Sequence, residues 1–82
     1  VSDSERMLSR RCGPGYAALA EQLRAERNRQ NLTQRELAQR FGGTATQVCN
    51  WETGYAVPGI AAMAKWARAL GLELALVSVA TS

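Results

Sequence analysis

The chain has 82 residues, ten of them basic and seven acidic, with a net charge of +3 and no histidine. That length allows one small domain able to bury only about 60% of the surface its unfolded chain exposes, so association would add to its stability. Catalysis finds little to work with: the commonest general base and metal ligand is missing, and Asp3, Glu5, Glu21, Glu26, Glu36, Glu52 and Glu73 form no motif-like pair.

Gly13, Gly15, Gly42 and Gly43 match no phosphate-cradling pattern. Nine of the ten basic residues are arginine, which suits a polyanionic partner as well as an ordinary solvated surface. Cys12 and Cys49 lack CxxC spacing, so reduced thiols, no metal and no cofactor are expected. No stretch is long or apolar enough to span a membrane, and the start lacks the apolar core of a signal peptide, which predicts a cytoplasmic protein.

Residues 1–15 mix Ser, Asp, Glu, Arg, Gly and Pro without periodicity and are expected to form a flexible arm. There Arg6, Arg10 and Arg11 either reach for phosphates and a minor groove or are simply solvated. From about Tyr16 to Gln30, Tyr16, Leu19, Ala20 and Leu23 recur at steps of three and four. One helical stripe therefore faces a core, and Arg27 continues it.

Two helix openings follow in quick succession. Thr33-Gln34-Arg35-Glu36 and Thr44-Ala45-Thr46-Gln47 both have the Thr-x-x-Glu/Gln form of a capping box, in which the threonine oxygen accepts from a first-turn amide and the third helical residue reaches back to the cap. Leu32 and Leu37 can staple the first start, with Leu37, Ala38 and Phe41 facing inward. Gly42-Gly43 supplies the turn. In the next short helix Val48 and Trp51 face inward and Ala45, Thr46, Cys49 and Asn50 outward. This is the outline of a helix-turn-helix. After a loop from Thr53 to Pro58, a fourth helix is expected from about Ile60 to Leu70. Its buried side is Ile60, Met63, Ala64, Ala67 and Leu70, and Gly71 is its left-handed stop. Trp66, beside that stripe, can join core or interface. Leu72 to Val79 turns β-branched and apolar late and reads as a strand, the alternative being an extended tail packed across its own helices.

Leu32-Thr33-Gln34-Arg35-Glu36-Leu37-Ala38, Val48-Cys49-Asn50-Trp51-Glu52-Thr53-Gly54, Pro58 and Ala67-Arg68-Ala69-Leu70-Gly71 together resemble the Cro and lambdoid-repressor type of helix-turn-helix domain, the XRE family, over roughly Leu19 to Leu72. The resemblance implies a mainly α fold, a lambda-repressor-like bundle of four to five helices, with residues 1–15 as arm, 16–71 as the helix-turn-helix domain and 72–82 as a C-terminal strand and tail. Two positions depart from the family pattern. Gly43 stands where an aliphatic residue is usual, implying a looser corner, and Gly59 replaces the usual serine cap.

The resemblance also implies roles. Arg27 and Glu52 match positions that form a partly buried ion pair between the first helix and the end of the third. The third helix would lie in the major groove of double-stranded DNA with Ala45, Thr46 and Asn50 toward base edges, flanked by Gln47 and Cys49. Gln34 matches a position that contacts the DNA backbone, with Arg35, Thr44 and Tyr55 as further backbone candidates. A lone strand needs a partner, so Leu72, Leu74, Leu76, Val77 and Val79, with Trp66, are candidates for a homodimer interface.

The function expected is a dimeric, sequence-specific transcriptional repressor on a palindromic operator, bacterial or phage-encoded and nucleoid-associated when bound to DNA. The alternative follows from the Ala69-Leu70-Gly71-Leu72-Glu73-Leu74-Ala75-Leu76 ending, which looks like that of small antitoxins. Those bind a toxin protein and repress their own operon.

Overall fold

The computed structural model describes residues 3–75, with side chains from residue 15 onward. Four helices follow one another: α1 (Asp3–Arg29), α2 (Gln34–Phe41), α3 (Ala45–Thr53) and α4 (Ile60–Ala69). The stretch expected as an arm is helical from Asp3, and the helix breaks at Gly13, whose φ of 85° and ψ of 163° lie outside the helical region. Proline explains the break. The ring of Pro14 bars the preceding residue from helical angles while its own fixed φ suits the start of a new helix, and glycine tolerates the positive φ that the break requires. The side chains of Arg6, Arg10, Arg11 and Cys12 lie outside the described residues.

The core forms where the helix faces meet. From α1 it takes Ala17, Ala20 and Leu23, from α2 Leu37 and Ala38, from α3 Val48 and Trp51, and from the end of the fold Trp66, Ala67 and Leu70. Tyr16, Leu19, Leu32 and Phe41 pack against it half-buried. Two aromatic contacts link α2, α3 and α4. Phe41 stacks on Trp51 at 5.6 Å between ring centroids, and Trp51 meets Trp66 at 5.5 Å. Such pairs add about 0.5–1.5 kcal/mol beyond the area they bury.

Three expectations for the C-terminal third need correction. Ile60 is 79% exposed, not core, and Ala64 is only half-buried. Trp66 is fully buried and therefore belongs to the core, with no face left for an interface. The helix turns Trp66 and Ala67 inward together with Met63 and Leu70, while Ile60, on the first turn, faces water. The third correction concerns the strand: Leu72 to Ala75 form none, and no strand occurs among the described residues. Leu74 instead packs against the core. Leu76, Val77 and Val79 lie outside the described residues. The stop itself is as read, with Gly71 at φ 78° and the Leu72 amide donating back to the Ala67 carbonyl at 2.9 Å.

Candidate nucleic-acid interface

Local chemistry starts both helices of the motif. Thr33 Oγ1 accepts from the Glu36 amide at 3.0 Å while the Thr33 amide donates to Glu36 Oε1 at 2.9 Å. Thr44 and Gln47 repeat the arrangement at 3.2 and 3.0 Å. Each box satisfies donors that a helix start leaves unpaired. The backbone amide of Thr33, followed by its side chain, holds the Glu36 carboxyl below the usual carboxylate range. Gly42, at φ 78°, ends α2 in the left-handed conformation, and Gly54, at φ 81°, ends α3 the same way.

Gly43 has a different reason to be glycine. A Cβ there would overlap Phe41 Cε1 and lie 2.5 Å from Gln47 Oε1. The Phe41 ring, stacked on Trp51, fills the space that an aliphatic turn residue would take, so the corner is closed and not loosened. The Gln47 carbonyl that the Cβ would meet is the one capping Thr44.

The angle of α3 is fixed by a buried network. Arg27 Nε donates to Glu52 Oε2 at 2.7 Å and Arg27 Nη2 to Glu52 Oε1 at 3.0 Å, a bidentate pair whose side chains are 12% and 3% exposed. Arg27 Nη1 donates to the Leu32 carbonyl at 2.8 Å, and Gln34 Nε2 donates to Glu52 Oε1 at 3.0 Å. One carboxylate therefore joins the end of α1, the start of α2 and the last turn of α3. A second strut runs from Tyr16 Oη to the Trp51 carbonyl at 2.7 Å. A buried charge needs such partners because leaving water is otherwise expensive.

On its open side α3 presents exposed Thr46 and half-buried Ala45, Cys49 and Asn50. Cys49 is a free thiol. Among the described residues no hydrogen bond occupies the Thr46 hydroxyl or the Asn50 amide, and this leaves both able to pair with a ligand. Gln47, Arg35, Thr44 and Tyr55 are exposed around this face. Gln47 and Thr44 also carry the cap, and the inward bond of Gln34 to Glu52 uses one of its donors.

Sequence reasoning misses a further set of ties. Gln30 Nε2 donates to the Leu70 carbonyl at 2.7 Å, and Arg40 Nη1 donates to the Ala69 carbonyl at 3.0 Å. Together they satisfy the end of α4. Gln30 also bonds Glu26, which pairs with Arg29. The Arg29 guanidinium first, then the Gln30 amide, pull the Glu26 carboxyl down to about 2. Nothing in the periodicity marks these residues, because each acts on a helix end remote in sequence.

The described residues include no group of acidic and cysteine side chains that could hold a metal ion, and no helix long and apolar enough to cross a membrane. The geometry is that of two capped helices joined at a tight corner, and a family model described as helix-turn-helix matches residues 23–77. The chain belongs to the XRE-type helix-turn-helix family. It is also 41% identical over 58 residues to a protein of Sinorhizobium fredii (strain NBRC 101917 / NGR234) called an uncharacterized HTH-type transcriptional regulator, y4dL. That match takes in 71% of this chain and 30% of the relative's length. No solved structure matches the chain. Within the family fold, α2 and α3 are the motif itself, and α1 and α4 brace it.

Proposed function

We propose that this chain is a dimeric, sequence-specific DNA-binding transcriptional repressor that reads a palindromic operator through the major groove. The observation that carries the reading is the α3 surface. Its inner side is locked by Glu52 and the aromatic contacts, while its outer side offers Thr46 and the unengaged Asn50 amide. Membership of the helix-turn-helix family and the regulator name of the S. fredii relative support it.

In this reading Asn50 bonds adenine through both amide atoms, Thr46 touches a thymine methyl or bonds a base edge, and Ala45 gives apolar contact. Gln47 and Cys49 border them. The start of α2 meets the phosphates. The Gln34 amide has a second N–H and its carbonyl beyond the bond to Glu52, Arg35 adds charge, and Thr44 and Tyr55 complete the backbone contacts. The C-terminal segment, with Leu72, Leu74, Leu76, Val77 and Val79, joins two copies, so that two copies of α3 enter successive major grooves. Occupying a promoter in this way blocks transcription.

Selection of bound duplexes from a random pool tests the reading. The expected result is an enriched inverted repeat with half-site centres about 34 Å apart and an affinity that falls linearly in log salt. A pool that yields no motif, with binding insensitive to salt, would refute it.

A further inference from the structure

Positive charge collects in one groove between α2 and α4. Among the described basic side chains, Arg24, Arg27 and Arg29 are held by Glu21, Glu52 and Glu26. Of the other four, Arg40, Lys65 and Arg68 line an open groove of about 360 Å³ with Phe41 and Ala69, and Arg35 alone lies outside it. A second hollow of about 160 Å³ shares Phe41 and Lys65 with the first and is otherwise walled by Gly42, Gly43, Gln47, Trp51 and Ala62.

Little in the fold answers this charge. Among the described residues Lys65 makes no hydrogen bond or ion pair. Arg68 reaches Glu73 at 3.9 Å with the two side chains 72% and 79% exposed, a contact that water screens. Arg40 is fixed through one nitrogen: Nη1 donates to the Ala69 carbonyl at 3.0 Å and to Gln30 Oε1 at 3.3 Å. That leaves Nε and Nη2 for a ligand, on a side chain whose ordering is already met. Glu36, one turn before Arg40, has its carboxylate turned to the Thr33 amide.

We infer that this groove docks an acidic segment of a partner protein, its carboxylates on Arg40, Lys65 and Arg68 and an apolar side chain beside Phe41 and Trp51. Arginine clusters are a recurring means of recognising acidic motifs. Two hollows side by side suit an extended chain better than a single small anion. The smaller one has a lone cation and otherwise uncharged walls, which favours a side chain over a phosphate. Arg40 also stands six residues along α2 from Gln34, about 9 Å at 1.5 Å per residue, so the groove lies at the end of α2 opposite the one assigned to the DNA backbone. That placement rests on the DNA contact proposed for Gln34, whereas the charge argument does not.

The test uses the full chain and a fluorescein-labelled peptide, Gly-Ser-Glu-Glu-Leu-Glu-Glu-Ser-Gly, followed by anisotropy. Saturable binding is expected, and the counterpart with glutamine for glutamate should not bind. Lys65→Glu and Arg68→Glu should each weaken binding by about tenfold or more. Arg35→Glu makes the same charge change outside the groove and should alter it by less than about twofold. Lys65 and Arg68 are exposed, so the melting temperature should stay at the parent value in both variants. No binding of the acidic peptide, or an equal loss from Arg35→Glu, would overturn the docking site. So would a joint fall in DNA affinity and salt dependence in Lys65→Glu and Arg68→Glu, which would give the groove to phosphates. Peptide binding is read without DNA, so a parent chain that docks the peptide but selects no duplex would sink the repressor reading alone.

Discussion

The guanidinium of Arg27 grips both oxygens of the Glu52 carboxylate, at 2.7 and 3.0 Å, across the join between α1 and the last turn of α3. The pair contributes orientation more than net stability, since two buried charges repay their desolvation only when geometry and partners are good. Removing one partner is a different matter. Arg27→Met should cost about 3–5 kcal/mol of unfolding free energy by stranding Glu52, whereas Arg35→Met, on an exposed face, should leave the urea midpoint nearly unchanged. Equal midpoints for the two variants would return Arg27 to the surface.

Gln34 shares the same carboxylate, with its Nε2 3.0 Å from Glu52 Oε1. Gln34→Ala should cost about 1.5–3 kcal/mol, the range for a hydrogen bond to a charged group. Gln34→Glu should cost more, because it sets a second carboxylate against the first. For DNA, the proposed reading expects Gln34→Ala to weaken all sequences by a similar factor, as a residue that positions α3 and meets phosphate would. Thermal denaturation and binding to matched and mismatched duplexes together check both halves.

The helix-turn-helix itself is legible in sequence because its signals are local. Thr33 with Glu36, Thr44 with Gln47, and Gly42 specify two starts and a stop without reference to the rest of the fold. The stripe of α1 is legible for the same reason. What escapes depends on neighbours distant in the chain. Ile60 continues the period of Met63 and Ala67 but stays in water on the first turn of α4, and Trp66 is taken inward by Trp51. Gly43 reads as a loosened corner until the Phe41 ring is seen to fill it. Gly13-Pro14 marks a break plainly, yet the helix before it carries no apolar period from which to be recognised.

Gly43 gives a prediction of its own. Gly43→Val should destabilise the domain by about 1–3 kcal/mol through overpacking against Phe41. The cost should shrink when Phe41→Leu is present, because the shorter side chain vacates the corner. A double-mutant cycle by urea denaturation measures this coupling. Strict additivity would show that the ring and the glycine are independent.

Acid should weaken the fold in a defined window. Glu26 has its pKa drawn from 4.5 to about 2 by Arg29 and Gln30, and Glu36 is lowered by the Thr33 amide. As pH falls below about 4.5 the unfolded chain takes up protons before the folded one does, so stability drops. The share due to Glu26 is complete above 4.5 and spent by about 2. Glu26→Gln should flatten the fall in melting temperature across that interval, and an unchanged slope would show that Glu26 does not contribute to it.

In the proposed function α3 reads bases while the network behind it only holds it in place. The most direct measurement is the affinity of the parent chain and of Asn50→Ala for every single-base variant of the selected operator. Asn50→Ala should lose about 1–3 kcal/mol on the parent site and become indifferent to the base at one position of each half-site, with the other positions discriminated as before. An even loss across all sequences, with every base preference intact, would contradict base reading by Asn50.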